Sequence, residues 1–183
     1  GKELTYKELY ESALKFANYL QSLGVEKGDR IAVMLPNCPQ AVIAYYGIMY
    51  AGGIVVQTNP LYTERELQYQ MADSGAKIIL GLDILYPRIT KILKETQIEN
   101  VIITGIKDYL PFPKNLVYPF IQKKQYGFSV KVEHSGMNHL FVEIMRSAPL
   151  KEITVPFDFE EDLALLQYTG GTTGFPKGVM LTH

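Results

Sequence analysis

The stretch Ile31-Ala32-Val33-Met34-Leu35 is an unbroken run of five apolar residues that begins directly after Gly28-Asp29-Arg30. An unbroken run, in place of an alternation of apolar and polar residues, is typical of a strand that is covered on both faces. Such strands occur in parallel sheets, because the connecting helices cover both sides of the sheet. The run therefore predicts a central strand of an α/β domain.

Further apolar runs follow this strand, and helical patterns separate them. The predicted strands are 54–56, 77–80 and 100–104. The predicted helices begin at Pro39, which suits the first turn of a helix, after Thr63, which can form a capping box with Glu66, and after Asp83, which can cap a helix. Strand and helix alternate along this part of the chain, which indicates a mostly parallel sheet with helices on both faces.

An amphipathic helix is predicted before the central strand. Thr5 and Glu8 have the spacing of a capping box, and Gly24 suits the C-terminal end of a helix. Between them, apolar residues recur at helical spacing: Leu9, Ala13, Phe16, Ala17 and Leu20. We expect this face to pack on the sheet.

The regular alternation ends near Gly105. Pro111, Pro113 and Pro119 interrupt the aromatic and basic stretch that follows, and helical structure is expected only in part of 125–145. We therefore divide the chain into a sheet-and-helix region at 1–104, an irregular excursion at 105–162, and a strand with a glycine-rich loop at 163–183. The third region is expected to continue the domain that the first begins.

Composition excludes several classes of protein. The chain has 183 residues, 47% of them apolar, and a net charge of −1, which suits one globular domain without a basic surface for nucleic acid. Cys38 is the single cysteine, so no internal disulfide forms, and we expect a cytoplasmic location. Residues 34–63 carry no charge, but Pro36, Pro39 and Gly52-Gly53 divide them, so no membrane-spanning helix is predicted.

The segment Thr169-Gly170-Gly171-Thr172-Thr173-Gly174-Phe175-Pro176-Lys177-Gly178 follows a predicted buried strand at 163–166. Its glycines let backbone N–H groups turn towards one point, its threonine hydroxyls add donors or a metal contact, and Lys177 adds a mobile positive charge. These groups suit a polyphosphate. The spacing differs from that of a P-loop, because Pro176 precedes the lysine and Gly178 follows it. The alternative is a plain glycine-rich turn.

This segment resembles the phosphate-binding motif of the adenylate-forming enzymes, which include acyl-CoA synthetases, luciferases and peptide-synthetase adenylation domains. Gly170 stands where that motif usually has serine or threonine. Residues 34–40, 52–63 and 107–114 are similar to the long-chain fatty acyl-CoA synthetase branch, so the likeness covers nearly the whole chain. Proteins of that family are much longer, and this chain begins at Gly1 without a methionine. We therefore expect an N-terminal portion, with an incomplete domain, of a longer protein.

The resemblance implies an AMP-forming ligase that joins a fatty acid to ATP, releases pyrophosphate and then transfers the acyl group to coenzyme A. The residues that it assigns to ATP phosphates are Thr169, Gly170, Gly171, Thr172, Thr173, Gly174 and Lys177. Thr169 is also expected to reach a Mg²⁺ ion. The catalytic residues of the family lie after this motif, so none is expected here and the isolated chain is expected to be inactive.

Alternatives to this reading stay open. The longer protein could adenylate a medium-chain or aryl acid, or the chain could be a non-catalytic fragment that binds nucleotide or has a structural role only. Peripheral contact with a membrane and oligomerisation are also left open, since fatty acids partition into bilayers but no basic amphipathic helix is visible.

The remaining chemistry-bearing residues favour ordinary structural roles. His134 and His139 are five residues apart, which is not the spacing of a metal-binding pair on a helix, so we expect surface histidines. Cys38 has no base near it in sequence, which favours a packed thiol over a nucleophile. The acidic run at 158–162 is expected to be a solvated connector.

Overall fold

The computed structural model describes residues 3–126, 132–133, 135–170 and 176–183, and these residues form one mostly parallel sheet with helices. The strands are β1 (Arg30–Met34), β2 (Ile54–Gln57), β3 (Ile78–Leu82), β4 (Asn100–Thr104), β5 (Asn138–Leu140), β6 (Leu163–Thr169) and β7 (Lys177–Thr182). Their spatial order is β5-β4-β3-β1-β2-β6-β7. Neighbouring strands from β5 to β6 run parallel, and β7 pairs antiparallel with β6.

The α-helices of the described residues are α1 (Tyr6–Ser22), α2 (Pro39–Tyr50), α3 (Glu64–Ser74), α4 (Tyr86–Ile92), α5 (Lys114–Tyr126) and α6 (Phe141–Ser147). The connection through α2 moves along the sheet in one direction, whereas those through α3 and α4 move in the other. Right-handed crossovers therefore place α2 on one face and α3 and α4 on the opposite face. In agreement, α1 packs against α2 and α6, while α3 packs against α4. The predicted fold class is confirmed.

Strand β1 has the central, doubly covered position that its apolar run predicts. Ile31, Ala32 and Met34 are fully buried, and Val33 is 1% exposed. The strand lies between β3 and β2, so both of its edges are hydrogen bonded. Its residues 31–34 belong to the hydrophobic core.

Local sequence signals set the starts of α1, α2 and α3. The hydroxyl of Thr5 accepts a hydrogen bond from the amide of Glu8 at 3.2 Å, and the carboxylate of Glu8 accepts one from the amide of Thr5 at 2.8 Å. Thr63 and Glu66 form the same reciprocal pair before α3. Both predicted capping boxes are confirmed, and so is the predicted helix start at Pro39.

The prediction that Asp83 caps an α-helix is wrong. Asp83 begins a short 3₁₀ helix (Asp83–Leu85), and α4 begins only at Tyr86. The carboxylate of Asp83 accepts hydrogen bonds from the amide of Ile84 and from the side chain of Gln122 on α5. A partner almost forty residues away in sequence thus holds this carboxylate, which the local sequence could not indicate.

The segment after Gly105 contains more regular structure than its sequence indicates. Helix α5 includes Pro119, and the short strand β5 adds to the edge of β4, although Asn138 and His139 give it no apolar pattern. The helix expected within 125–145 appears as α6, whose Phe141 and Ile144 are buried. The division of the chain into three regions stays an interpretation.

Strand β6 is less buried than its sequence predicts. The strand predicted to be buried at 163–166 forms part of β6, but only Ala164 of these residues is buried, because β6 lies beside the edge strand β7.

No helix in the described part of the chain is both long enough and apolar enough to cross a membrane.

Candidate functional site

The glycine-rich segment lies at a hairpin between β6 and β7. Thr169 ends β6 and pairs across the two strands with Lys177, the first residue of β7. The two ends of the predicted phosphate loop are therefore direct neighbours. Among the predicted site residues, the structure describes Thr169, Gly170 and Lys177, whereas Gly171, Thr172, Thr173 and Gly174 lie outside the described residues.

The hairpin lies at the edge of the sheet where parallel α/β proteins bind ligands. Because β6 runs parallel to β2, and β2 to β1, the carboxyl ends of all three strands share one edge. Helix α2 leaves β1 towards one face, and α3 leaves β2 towards the other. Ligand sites of doubly wound sheets form where adjacent connections separate in this way. Thr169 ends β6, the strand next to β2, at this same edge of the sheet.

A cavity of about 580 Å³, here called the polar cavity, opens at the same edge. Its lining includes Asn37 after β1, Gln57 and Asn59 at the end of β2, and Gln167 and Gly170 of the β6–β7 region. A Cβ atom placed on Gly170 would meet no atom within 4 Å, so the backbone there faces open space. The lining offers neutral amide groups that can both donate and accept hydrogen bonds.

A second cavity of about 660 Å³, here called the apolar cavity, lies beside it. Leu9 of α1 and Val42 and Tyr45 of α2 contribute to its wall, and it shares Asn37 and Gln57 with the polar cavity. The sequence did not indicate this cavity, because its walls come from segments that are distant in sequence. The volumes of both cavities lie within the range of small-molecule sites.

Cys38 lines the apolar cavity, but its surroundings do not activate it. Burial raises the pKa of its thiol, and the amides of Ala41 and Gln40 only partly oppose this effect. A raised pKa keeps the sulfur protonated and weakly nucleophilic. The interpretation of Cys38 as a packed thiol agrees with this environment.

Lys177 and Thr169 are both exposed. Within the residues that the structure describes, no carboxylate lies within ion-pair distance of the Lys177 ammonium group. A lysine without such a partner can bind an anionic ligand without first breaking an ion pair. A lysine that is simply hydrated would have the same environment.

Tyr168, directly before the loop, was not identified as a site residue from the sequence. It is 8% exposed, and its hydroxyl donates a hydrogen bond to the carboxylate of Asp73 on α3 at 2.6 Å. Burial, with the hydrogen bond to Asp73 as the next cause, raises the pKa of Tyr168. The hydroxyl therefore stays protonated and can donate at neutral pH.

The structure describes only one of the two histidines that were predicted to lie at the surface. His139 is half-buried, and its ring nitrogens lie 2.9 Å from the hydroxyl of Tyr19 and 2.9 Å from the side-chain oxygen of Asn100. Burial lowers the pKa of His139. Its prediction as a surface histidine is wrong, because β5 places it between α1 and β4. His134 lies outside the described residues.

The acidic run at 158–162 is partly tied to the fold. Asp162 forms an ion pair with Lys27 at 2.5 Å and accepts a hydrogen bond from the amide of Asp158 at 2.7 Å. Lys27 and this hydrogen bond hold the pKa of Asp162 below its usual range. Part of the expected solvated connector is thus a structural contact.

The mostly parallel sheet with helices is similar to the N-terminal domains of adenylate-forming ligases, and the chain covers 31% of one such solved structure. The profile of the AMP-binding enzymes matches residues 1–183, so the chain belongs to the AMP-binding enzyme family.

Relatives agree with this membership. A long-chain-fatty-acid–CoA ligase of Bacillus subtilis (strain 168) is 52% identical over 184 residues, which include 100% of this chain and 32% of that ligase. Among solved structures, a long-chain-fatty-acid-CoA ligase from Archaeoglobus fulgidus superposes with a TM-score of 0.74 at 29% identity, over 100% of this chain and 31% of that one. ATP-bound MatB from Rhodopseudomonas palustris gives 0.74 at 27% identity, over 100% and 30%. The chain thus spans about a third of the length of these relatives.

Proposed function

We propose that the chain is part of an AMP-forming long-chain fatty acid–CoA ligase and carries its ATP phosphate-binding loop. The observation that carries this proposal is the pairing of Thr169 with Lys177 at the carboxyl edge of the sheet, next to the polar cavity. The 52% identity to a long-chain-fatty-acid–CoA ligase supports the substrate class, and the likeness to ATP-bound MatB supports the nucleotide.

The proposed reaction has two steps. A carboxylate oxygen of the fatty acid attacks the α-phosphorus of ATP, which gives the acyl-adenylate and pyrophosphate. The thiol of coenzyme A then attacks the acyl carbon and displaces AMP. Negative charge builds on the leaving pyrophosphate in the first step, so hydrogen-bond donors and cations fixed around it lower the barrier.

The loop residues supply such groups. The proposed phosphate ligands are the backbone amides of Gly170, Gly171 and Gly174, the hydroxyls of Thr169, Thr172 and Thr173, and the ammonium group of Lys177. A binding loop of this kind works by position and charge, and it forms no covalent bond to the substrate.

A Mg²⁺ ion that accompanies ATP is proposed to contact Thr169. The exposed hydroxyl of Thr169 at the end of β6 is a hard oxygen donor, and Mg²⁺ in nucleotide sites needs only one or two protein oxygens besides phosphates and water. The residue present therefore fits the ion, which would supply positive charge next to the phosphates.

We also propose a cytoplasmic location, because Cys38 is the single cysteine of the sequence. Fatty acids partition into bilayers, so a peripheral encounter with a membrane belongs to the same proposal. Oligomerisation is a further option for the longer protein.

The test uses the longer protein that contains this chain, assayed for fatty-acid-dependent exchange of labelled pyrophosphate into ATP. Lys177→Ala is expected to lower the exchange rate about 100-fold, because one fixed donor at a developing charge is removed. Lys94→Ala is the matched control, since Lys94 is also an exposed lysine but lies in a 3₁₀ helix (Leu93–Glu95) away from the hairpin. The control is expected to stay within about twofold of the unaltered protein. Equal rates for the two variants would contradict the proposed loop.

The same assay separates the alternatives. A panel of long-chain, medium-chain and aryl acids identifies the substrate, and the best exchange with an aryl acid would contradict the long-chain assignment. The 183-residue chain alone is expected to give no exchange, because it spans only 32% of the Bacillus ligase. ATP binding to the longer protein without exchange for any acid would favour the non-catalytic alternative.

A further inference from the structure

Tyr168 links three elements at the base of the predicted phosphate loop. It lies in β6 immediately before Thr169, and its hydroxyl donates to Asp73, which is 95 residues away and is the penultimate residue of α3. At 2.6 Å, this bond is short, as hydrogen bonds to charged acceptors are. The bond therefore connects the end of β6 to α3, which packs on one face of the sheet.

The ring of Tyr168 also contacts the other strand of the hairpin. Tyr168 pairs across the strands with Gly178, and a Cβ atom on Gly178 would lie 3.1 Å from two ring carbons of Tyr168. That separation is too short for a relaxed contact, so the ring occupies the space that a side chain at position 178 would need. An aromatic ring over a cross-strand glycine is a known way to fix the register of two strands.

Both ends of the loop are adjacent to this contact. Tyr168 directly precedes Thr169, and its ring packs against Gly178, which directly follows Lys177. A site whose groups are held in place before the ligand arrives loses less conformational entropy on binding.

We infer that Tyr168 is a positioning residue for ATP binding: its ring holds β7 and its hydroxyl, through Asp73, holds β6, so that Thr169 and Lys177 stay in place. This inference rests on the proposed function of the loop. In this role Tyr168 acts through Thr169, which follows it in β6, and through Gly178, which follows Lys177 in β7.

The first experiment removes only the hydroxyl, in Tyr168→Phe. The matched control is Tyr10→Phe, because Tyr10 also donates to a carboxylate, that of Glu152 at 2.8 Å, but lies on α1 away from the hairpin. Both variants are made in the longer protein that contains this chain. Their ATP dissociation constants are measured by equilibrium dialysis, and their melting temperatures are measured alongside. Tyr168→Phe is expected to weaken ATP binding about five- to tenfold, whereas Tyr10→Phe is expected to stay within about twofold.

Variants of Asp73, which accepts the hydrogen bond from Tyr168, distinguish a positioning role from an effect on the stability of the whole fold. Asp73→Asn keeps a side-chain oxygen that can accept the hydrogen bond from Tyr168, so ATP binding is expected to be largely retained. Asp73→Ala removes the acceptor and is expected to match Tyr168→Phe. If the ATP dissociation constant follows the melting temperature across all four variants, including the Tyr10 control, the role is structural only and the inference is overturned.

A second measurement does not depend on ATP. Amide hydrogen exchange at Thr169 and Lys177 is followed by NMR, and it is expected to be at least about fivefold faster in Tyr168→Phe than in Tyr10→Phe. If the unaltered protein binds no ATP, the proposed function fails, yet this exchange result still tests the positioning contact. Equal exchange in the two variants would overturn the inference even if ATP binds.

Discussion

Gly53→Ala is expected to destabilise the fold, because the added methyl group would overpack the core. Gly53 immediately precedes β2, and a Cβ atom there would lie 2.6 Å from Cδ1 of Ile31 and 3.0 Å from Cγ2 of Ile48. Ile31 and Ile48 are fully buried, so neither has free space to move into. A close-packed core yields to an added methyl group only by shifting side chains or backbone.

The expected cost is about 1–3 kcal/mol of the free energy of unfolding, which is the usual range for overpacking. For a chain of this size, each kcal/mol lowers the melting temperature by about 2–4 °C. The control is Gly136→Ala, because a Cβ atom there would meet no atom within 4 Å. Urea unfolding and thermal melting, followed by circular dichroism, measure both variants.

Ile31→Val gives the decisive comparison, since valine lacks the Cδ1 atom that lies nearest to the added methyl group. Alone, Ile31→Val is expected to cost about 0.5–1.5 kcal/mol. Combined with Gly53→Ala, it is expected to cost less than the sum of the two single changes, with a coupling of about 1 kcal/mol. Strict additivity of the two changes would refute the proposed contact.

Two predictions concern stability elsewhere. Thr63→Ala removes a capping box and is expected to cost about 1 kcal/mol in urea unfolding, and a cost near zero would contradict that role. Burial raises the pKa of Asp29, but the Glu26 amide and the Lys77 ammonium group more than offset this and hold it below its ordinary value of 3.8. Its stabilising effect is present above that value and lost as the pH falls through the lower folded-state pKa. Asp29→Asn is expected to flatten the acid side of the stability–pH profile, and an unchanged profile would contradict this.

Much of the fold could be predicted from signals that lie within a few neighbouring residues. The capping pairs of Thr5 and Thr63, the helix start at Pro39 and the apolar run of β1 each depend on groups close together in sequence. Their hydrogen bonds and periodicity therefore appear in the sequence itself. The glycine- and threonine-rich motif before Lys177 likewise predicted the family, because such a loop uses consecutive backbone amides.

Contacts between segments that are distant in sequence determined the parts of the fold and of the candidate site that the sequence did not predict. Strand β5 has no apolar pattern and forms because β4 offers an open edge, and the same pairing places His139 between Tyr19 and Asn100. Asp83 was misassigned because Gln122 holds it. The strand order, which sets the crevice at the carboxyl edge, and the bond of Tyr168 to Asp73 both join residues far apart in sequence. Sequence alone indicated which groups could bind a phosphate, and only tertiary packing decided which residues hold the two ends of that loop together.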